Sequence, residues 1–247
     1  MGEFSWVADP ASGIRQRFVE ANGLKFELAE AGDAKATKFA ILLHGFPELN
    51  FSWRHQMPEL AAQGWRVWAP NLRGYGASSR PEGVPAYRMD KLMADVAALI
   101  DLAKAEAPAD EIMLVAHDWG AVIAWNFAIQ KVRPLDRLVI MNVPHPKCAE
   151  RELKHWRQRK KSWYIFFFQL PWLPEKMMLA NDAKAVRQAF SIRQPTRIVS
   201  PKQIWISMPQ LPSDPVPCTP WSIIIGRWCD IPKRARWAMR WSTRRHW

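Results

Sequence analysis

The chain has 247 residues, 49% of them hydrophobic, and a formal net charge of +12; that length is enough for one substantial core. Cys148, Cys218 and Cys229 lack metal-ligand spacing, which argues against a disulfide framework or a zinc site, and no apolar run approaches the roughly 18 residues of a membrane span. Residues 1–190 hold 25 Lys/Arg against 21 Asp/Glu and residues 191–247 hold 10 against 2, so the basicity belongs mainly to the tail and does not mark a nucleic-acid-binding domain.

In chain order, MGEFSWVADPASGIRQRF lacks the apolar run of a signal peptide, so a soluble, cytoplasmic protein is expected. RFVEANG and LKFELAEAG read as a hairpin about Gly23. KFAILLHG (38–45) is a buried strand running into a Gly-Pro loop, and GWRVWAPNL (64–72) is another. MDKLMADVAALIDLAKAEA (89–107) has helical apolar spacing, EIMLVAH (111–117) is a third apolar run, and WGAVIAWNFAIQK (119–131) follows it at once as a helix. DRLVIMNVP (136–144) closes the series. Strands alternating with helices predict a mostly parallel sheet flanked by helices.

Residues 1–145 therefore form the expected core, and the aromatic, helix-rich stretch 146–190 reads as the start of a helical cap above the sheet. SWYIFFFQLPWLP is too short and too proline-broken to span a bilayer, and RQRKK before it reads as a solvated helix face. Residues 191–247 hold 8 of the 20 prolines, 6 of the 15 tryptophans and one glycine, Gly226, a composition that rarely builds a packed core.

The chemistry centres on LVAHDWGAV (114–122), which has the form of a strand-turn-helix nucleophile elbow with Asp118 in the usual serine position. A serine there needs a base; a carboxylate is already an anion at neutral pH and suits attack on a saturated carbon bearing a leaving group. The resulting ester must be hydrolysed through a tetrahedral oxyanion, which needs two N–H donors. Trp119, next after the nucleophile, is placed to give one, and Phe46 in HGFPE (44–48) the other.

HGFPE, FSWRHQMPELAAQGWRVWAPNLRGYGASSRP, VAHDWGAVIAWNFA and NVPHP together resemble the soluble epoxide hydrolases of the α/β-hydrolase fold, over roughly residues 14–190. The resemblance implies that Asp118 opens an epoxide, with the backbone of Phe46 and Trp119 as oxyanion hole. It also implies that Tyr164, placed by the FFQLPW match, protonates the leaving alkoxide. A small-molecule epoxide is the implied partner, and neither cofactor nor metal is implied. His44 and Pro47 are expected to line the substrate pocket, with His117, His145 and the NVPHP loop shaping the site and Trp53 and Trp125 as core or pocket wall. Haloalkane dehalogenases share an Asp–Trp elbow, but typically hold the halide with an Asn where this chain has Phe46, and they need no proton donor such as Tyr164. A non-catalytic relative with a vestigial site is the other alternative.

The family mechanism also requires a histidine, oriented by an acid, to activate water, and both come from the last third of a longer chain. Asp214 and Asp230 lie in no strand-loop context and His246 lacks the expected surroundings, so the last core strands and the triad base are expected to be missing. Reading implied codons one base earlier permits WSIIIGRW (221–228) to become MVNYYRAL and RIVSPKQIWISM (197–208) to become PDRFTEADLDIY, text resembling the family's cap and its second tyrosine. A frame shift near residues 188–197 is the expected origin of the tail.

Overall fold

The computed structural model describes residues 10–156 continuously and scattered positions between 160 and 180. Strands β1 (Arg15–Ala21) and β2 (Leu24–Ala31) form the expected hairpin. Its two-residue turn has Asn22 at φ 50° and Gly23 at φ 69°, the paired left-handed geometry that matches the twist of a tight hairpin and favours Asn-Gly.

Strand β3 (Lys38–Leu43) is followed by helix α1 (Gln56–Ala62), β4 (Trp65–Pro70), helix α2 (Met89–Glu106), β5 (Glu111–His117), helix α3 (Asp118–Ile129), β6 (Arg137–Met141) and the short helix α4 (Pro146–Glu152). The six strands lie in the order β1-β2-β4-β3-β5-β6. The β1–β2 and β2–β4 pairs are antiparallel, and β4, β3, β5 and β6 run parallel. This is the mostly parallel, helix-flanked sheet expected of the α/β-hydrolase fold. The expected strands are all present; α1 is an addition, a seven-residue helix too short to announce itself by periodicity.

The central strands β3, β4 and β5 are nearly continuous apolar runs because helices cover both faces. In β3, Phe39, Ile41 and Leu43 pack in a cluster with Val96, Leu99 and Ile100 of α2 and Ala121, Ala124 and Phe127 of α3. Ala40 and Leu42 point the other way, joining Met57 of α1, Val67 and Met113. Fully burying a side chain such as Phe39, Leu42 or Ile100 contributes roughly 1.5–3 kcal/mol against leaving it exposed, so the two faces bind helices to the sheet from both sides. Helix α2 ends against Arg66 of β4, whose Nη2 donates to the carbonyls of Ala103 (2.8 Å), which also accepts from the Ala107 N–H, and of Ala107 (3.2 Å), tying the helix C-terminus to the sheet.

Register places the site. Leu43, the last residue of β3, pairs with Ala116 of β5, and His117 pairs with Met141 of β6. The segments beginning at His44, Asp118 and Asn142 therefore leave one edge of the sheet side by side. Among the described residues β6 pairs only with β5, and its exposure pattern matches an edge: Val139 is 40% exposed where its counterparts on β3 and β5 are buried. No helix among the described residues is long and apolar enough to cross a membrane. Residues 191–247 lie outside the described region, as do Cys218, Cys229, Asp214, Asp230 and His246; Cys148 is an exposed free thiol.

Candidate active site

Strand β5 passes into α3 without a loop, with Asp118 as the first helical residue. Asp118 sits at φ 48°, in the left-handed region where a non-glycine residue costs about 1–3 kcal/mol and persists only when its surroundings hold it. Three neighbours do so. A Cβ on Gly45 would fall 2.4 Å from Asp118 Cβ and 2.7 Å from its Oδ1. One on Gly120 would fall 2.5 Å from the Leu43 carbonyl oxygen and 2.6 Å from that of His44. Glycine at 120 thus lets the elbow meet the end of β3 backbone to backbone, and glycine at 45 leaves room for the Asp118 side chain. The Phe46 backbone N–H then donates to Asp118 Oδ1 at 2.8 Å, a charge-assisted bond stronger than a neutral one.

Trp119, the second residue of α3, carries one of the first-turn N–H groups that a helix leaves without an intrahelical acceptor. The positive end of the α3 dipole lies at the same carboxylate. Oδ1 is held, and Oδ2 receives no hydrogen bond from the described residues.

Beside the elbow, three segments converge on His117. Its Nδ1 lies 3.3 Å from Glu48 Oε2, and Asn142 Nδ2 lies 2.8 Å from its Nε2. As oriented, the amide donates to Nε2, leaving Nδ1–H to face the Glu48 carboxylate. Asn142 holds φ 66°, a second strained non-glycine residue at this edge. Asn142 opens the NVPHP loop that the sequence marks as shaping the site, whereas Glu48 is not marked as a site residue, its place at the end of HGFPE being the one signal that points toward it. Trp125 Nε1 donates to the Val143 carbonyl at 3.2 Å and its ring meets His145 edge to face at 4.9 Å, so α3 anchors the NVPHP loop. Trp53 is core, 4% exposed.

His44 departs from the expected pocket position. It is fully buried beneath the loop: its Nδ1 bonds to the Gly45 carbonyl (2.9 Å) and its Nε2 accepts from the Leu72 N–H (3.0 Å). With both nitrogens engaged and no exposed surface, the ring is a floor for the loop and not a wall that substrate touches. Burial holds its pKa down to about 4, the bond to Gly45 only partly opposing the shift. Its ring meets Tyr75 edge to face at 4.7 Å. Burial pushes the Tyr75 hydroxyl pKa up, with the Asp118 and Glu48 charges adding to the shift. Phe46 and Pro47, joined by a cis peptide bond, are half-buried, as is Trp119. Tyr164 lies outside the described residues. Among the described residues no group of three or more His, Cys, Asp or Glu is placed to hold a metal ion.

Residues 41–174 match the family described as the alpha/beta hydrolase fold. Epoxide hydrolase A of Mycobacterium tuberculosis is 38% identical over 176 residues, 70% of this chain and 53% of that protein. Epoxide hydrolase 4 of Homo sapiens is 36% identical over 187 residues, 75% of this chain and 50% of that one. The chain thus spans about half the length of these curated relatives. An inhibitor-bound epoxide hydrolase from Bacillus megaterium superposes with a TM-score of 0.68 at 28% identity, covering 78% of this chain and 66% of that structure.

Proposed function

The chain belongs to the epoxide hydrolase family of the α/β-hydrolase fold, and on that premise we propose that Asp118 attacks an epoxide carbon to form an alkyl-enzyme ester. The hydrogen bond from Phe46 N–H to Asp118 Oδ1 at the strained elbow carries this reading. Oδ2 forms the new C–O bond as the ring C–O bond breaks, and the departing alkoxide takes the phenolic proton of Tyr164. The ester carbonyl oxygen is then Oδ1, already seated on Phe46 N–H. When water attacks, that oxygen becomes the oxyanion, with Trp119 N–H as its second donor. Water adds its oxygen to the acyl carbon as the ester C–O bond breaks, one of its protons goes to the departing diol oxygen and the other returns to the Tyr164 phenolate, so that hydrolysis restores the Asp118 carboxylate and releases a vicinal diol.

The reading divides the chain into an N-terminal hydrolase core (1–145), the start of a cap (146–190) and an out-of-frame tail (191–247). Without a triad histidine in that tail, the ester accumulates. Incubation with a styrene-oxide-like epoxide, followed by intact-mass measurement, is expected to add one epoxide mass to the protein and none to the Asp118→Asn variant. An unchanged mass without diol production overturns the nucleophile reading, and steady diol production overturns the missing base. Adduct formation from a brominated alkane and not from the epoxide identifies dehalogenase chemistry instead. Gene sequencing tests the tail: the neighbouring frame is expected to encode the NYYR text, and bases that cannot do so exclude the frame shift.

A further inference from the structure

The loop that carries Phe46 is gripped at both ends by two consecutive residues of another segment. At its start, the His44 ring accepts from the Leu72 N–H at 3.0 Å. At its end, the Asn50 N–H donates to Asn71 Oδ1 at 2.7 Å. The Asn71 amide is itself oriented, since its Nδ2 donates to Glu27 Oε2 at 2.6 Å, and that same oxygen accepts from Ala77 N–H at 2.8 Å. The Asn71 main chain is fixed too, its N–H bonding to the Glu27 carbonyl (2.8 Å) and its carbonyl accepting from Ser78 Oγ (2.6 Å). Glu27, His44, Asn50 and Asn71 are all buried. Because Asn50 N–H can only donate, the atom facing it must be the amide oxygen, which fixes the orientation of Asn71.

We propose that Asn71 and His44 are positioning residues that hold the 44–50 loop in the register placing Phe46 N–H on Asp118. Leu72 and Asn71 form a two-point clamp and Glu27 sets its orientation. A buried polar network whose linking atoms are partnered defines one geometry, whereas apolar packing alone tolerates small slides. A loop displaced by an ångström costs the reaction up to roughly a hundredfold. The proposal rests on the reading of Asp118 as nucleophile for its catalytic consequence, but its geometry is testable separately.

In the unaltered full chain, native-state hydrogen exchange is expected to show the Phe46, Asn50 and Leu72 amides opening together. A Phe46 amide exchanging far faster than the other two overturns the clamp. Asn71→Leu is expected to move the Phe46 amide proton resonance upfield and to slow ester formation roughly tenfold to a hundredfold at saturating epoxide, with half-saturation unchanged. Glu27→Gln keeps an acceptor for Asn71 Nδ2 and is expected to leave both readouts at parent values. A folded Asn71→Leu protein with an unmoved Phe46 resonance overturns the proposal. Should that variant fail to fold, His44→Phe takes its place: an upfield Phe46 shift with slower ester formation supports the clamp, and an unmoved resonance overturns it. If the parent forms no ester yet the Phe46 resonance responds to Asn71→Leu, the clamp stands and the nucleophile reading falls.

Discussion

Phe46 and Asp118 lie 72 positions apart, yet the backbone N–H of the first is 2.8 Å from the carboxylate of the second. Gly45 makes that approach possible, because its missing Cβ is the space that Asp118 Cβ occupies. Gly45→Ala is therefore expected to destabilise the protein by about 1–3 kcal/mol and to abolish adduct formation. Urea unfolding and intact mass check the two outcomes, and a variant of parent stability shows that the loop yields freely.

His44 predicts a pH dependence of stability. The folded ring protonates near pH 4 and an unfolded one near 6.5. Above pH 6.5 both states are neutral and the contribution is fully present. As pH falls from 6.5 toward 4 the unfolded state takes up the proton first, so stability declines by a total on the order of 3 kcal/mol. Urea titrations across that window are expected to show a shallower decline for His44→Gln; identical slopes contradict the assignment.

Arg73 grips Asp95 of α2 through two bonds, Nη2–Oδ1 at 2.6 Å and Nε–Oδ2 at 2.7 Å, with both side chains 5% exposed. Asn22 Nδ2 adds a bond to Asp95 Oδ1 at 2.8 Å. Arg73→Met strands a buried carboxylate and is expected to cost about 3–5 kcal/mol, with much of that loss recovered in the Arg73→Met, Asp95→Leu double variant. A double-mutant cycle with additive losses contradicts this.

The outer edge of β6 predicts self-association. Val139 is 40% exposed on a strand that has one partner among the described residues, and flat apolar edges template pairing with other chains. Val139→Lys is expected to lower light scattering at equal concentration with little change in melting temperature. Unchanged scattering places the association elsewhere.

The strands and the two long helices are legible in the sequence because each repeats its signal locally: Phe39, Ile41 and Leu43 alternate with Ala40 and Leu42, and Leu92, Val96, Leu99 and Ala103 return on one face of α2. Asp118 is legible because an elbow has a fixed local pattern. The supports of the site are not. His44 reaches Leu72, Asn71 reaches Glu27 and His117 reaches Glu48, contacts made by folding between residues 28 to 69 positions apart, with no period or spacing to betray them. His44 illustrates the difference most clearly, since its place in HGFPE suggests a pocket wall and only the fold shows it beneath the loop.

The proposed chemistry turns on one oxygen of one side chain, and peptide mapping by tandem mass spectrometry after incubation with an aryl epoxide reads that atom's residue. A single alkyl ester is expected on the peptide spanning β5 and α3, localised to Asp118, lost on mild base treatment and absent from Asp118→Asn. An adduct on another residue such as Cys148 or His117, undiminished in Asp118→Asn, rules out Asp118 as the nucleophile.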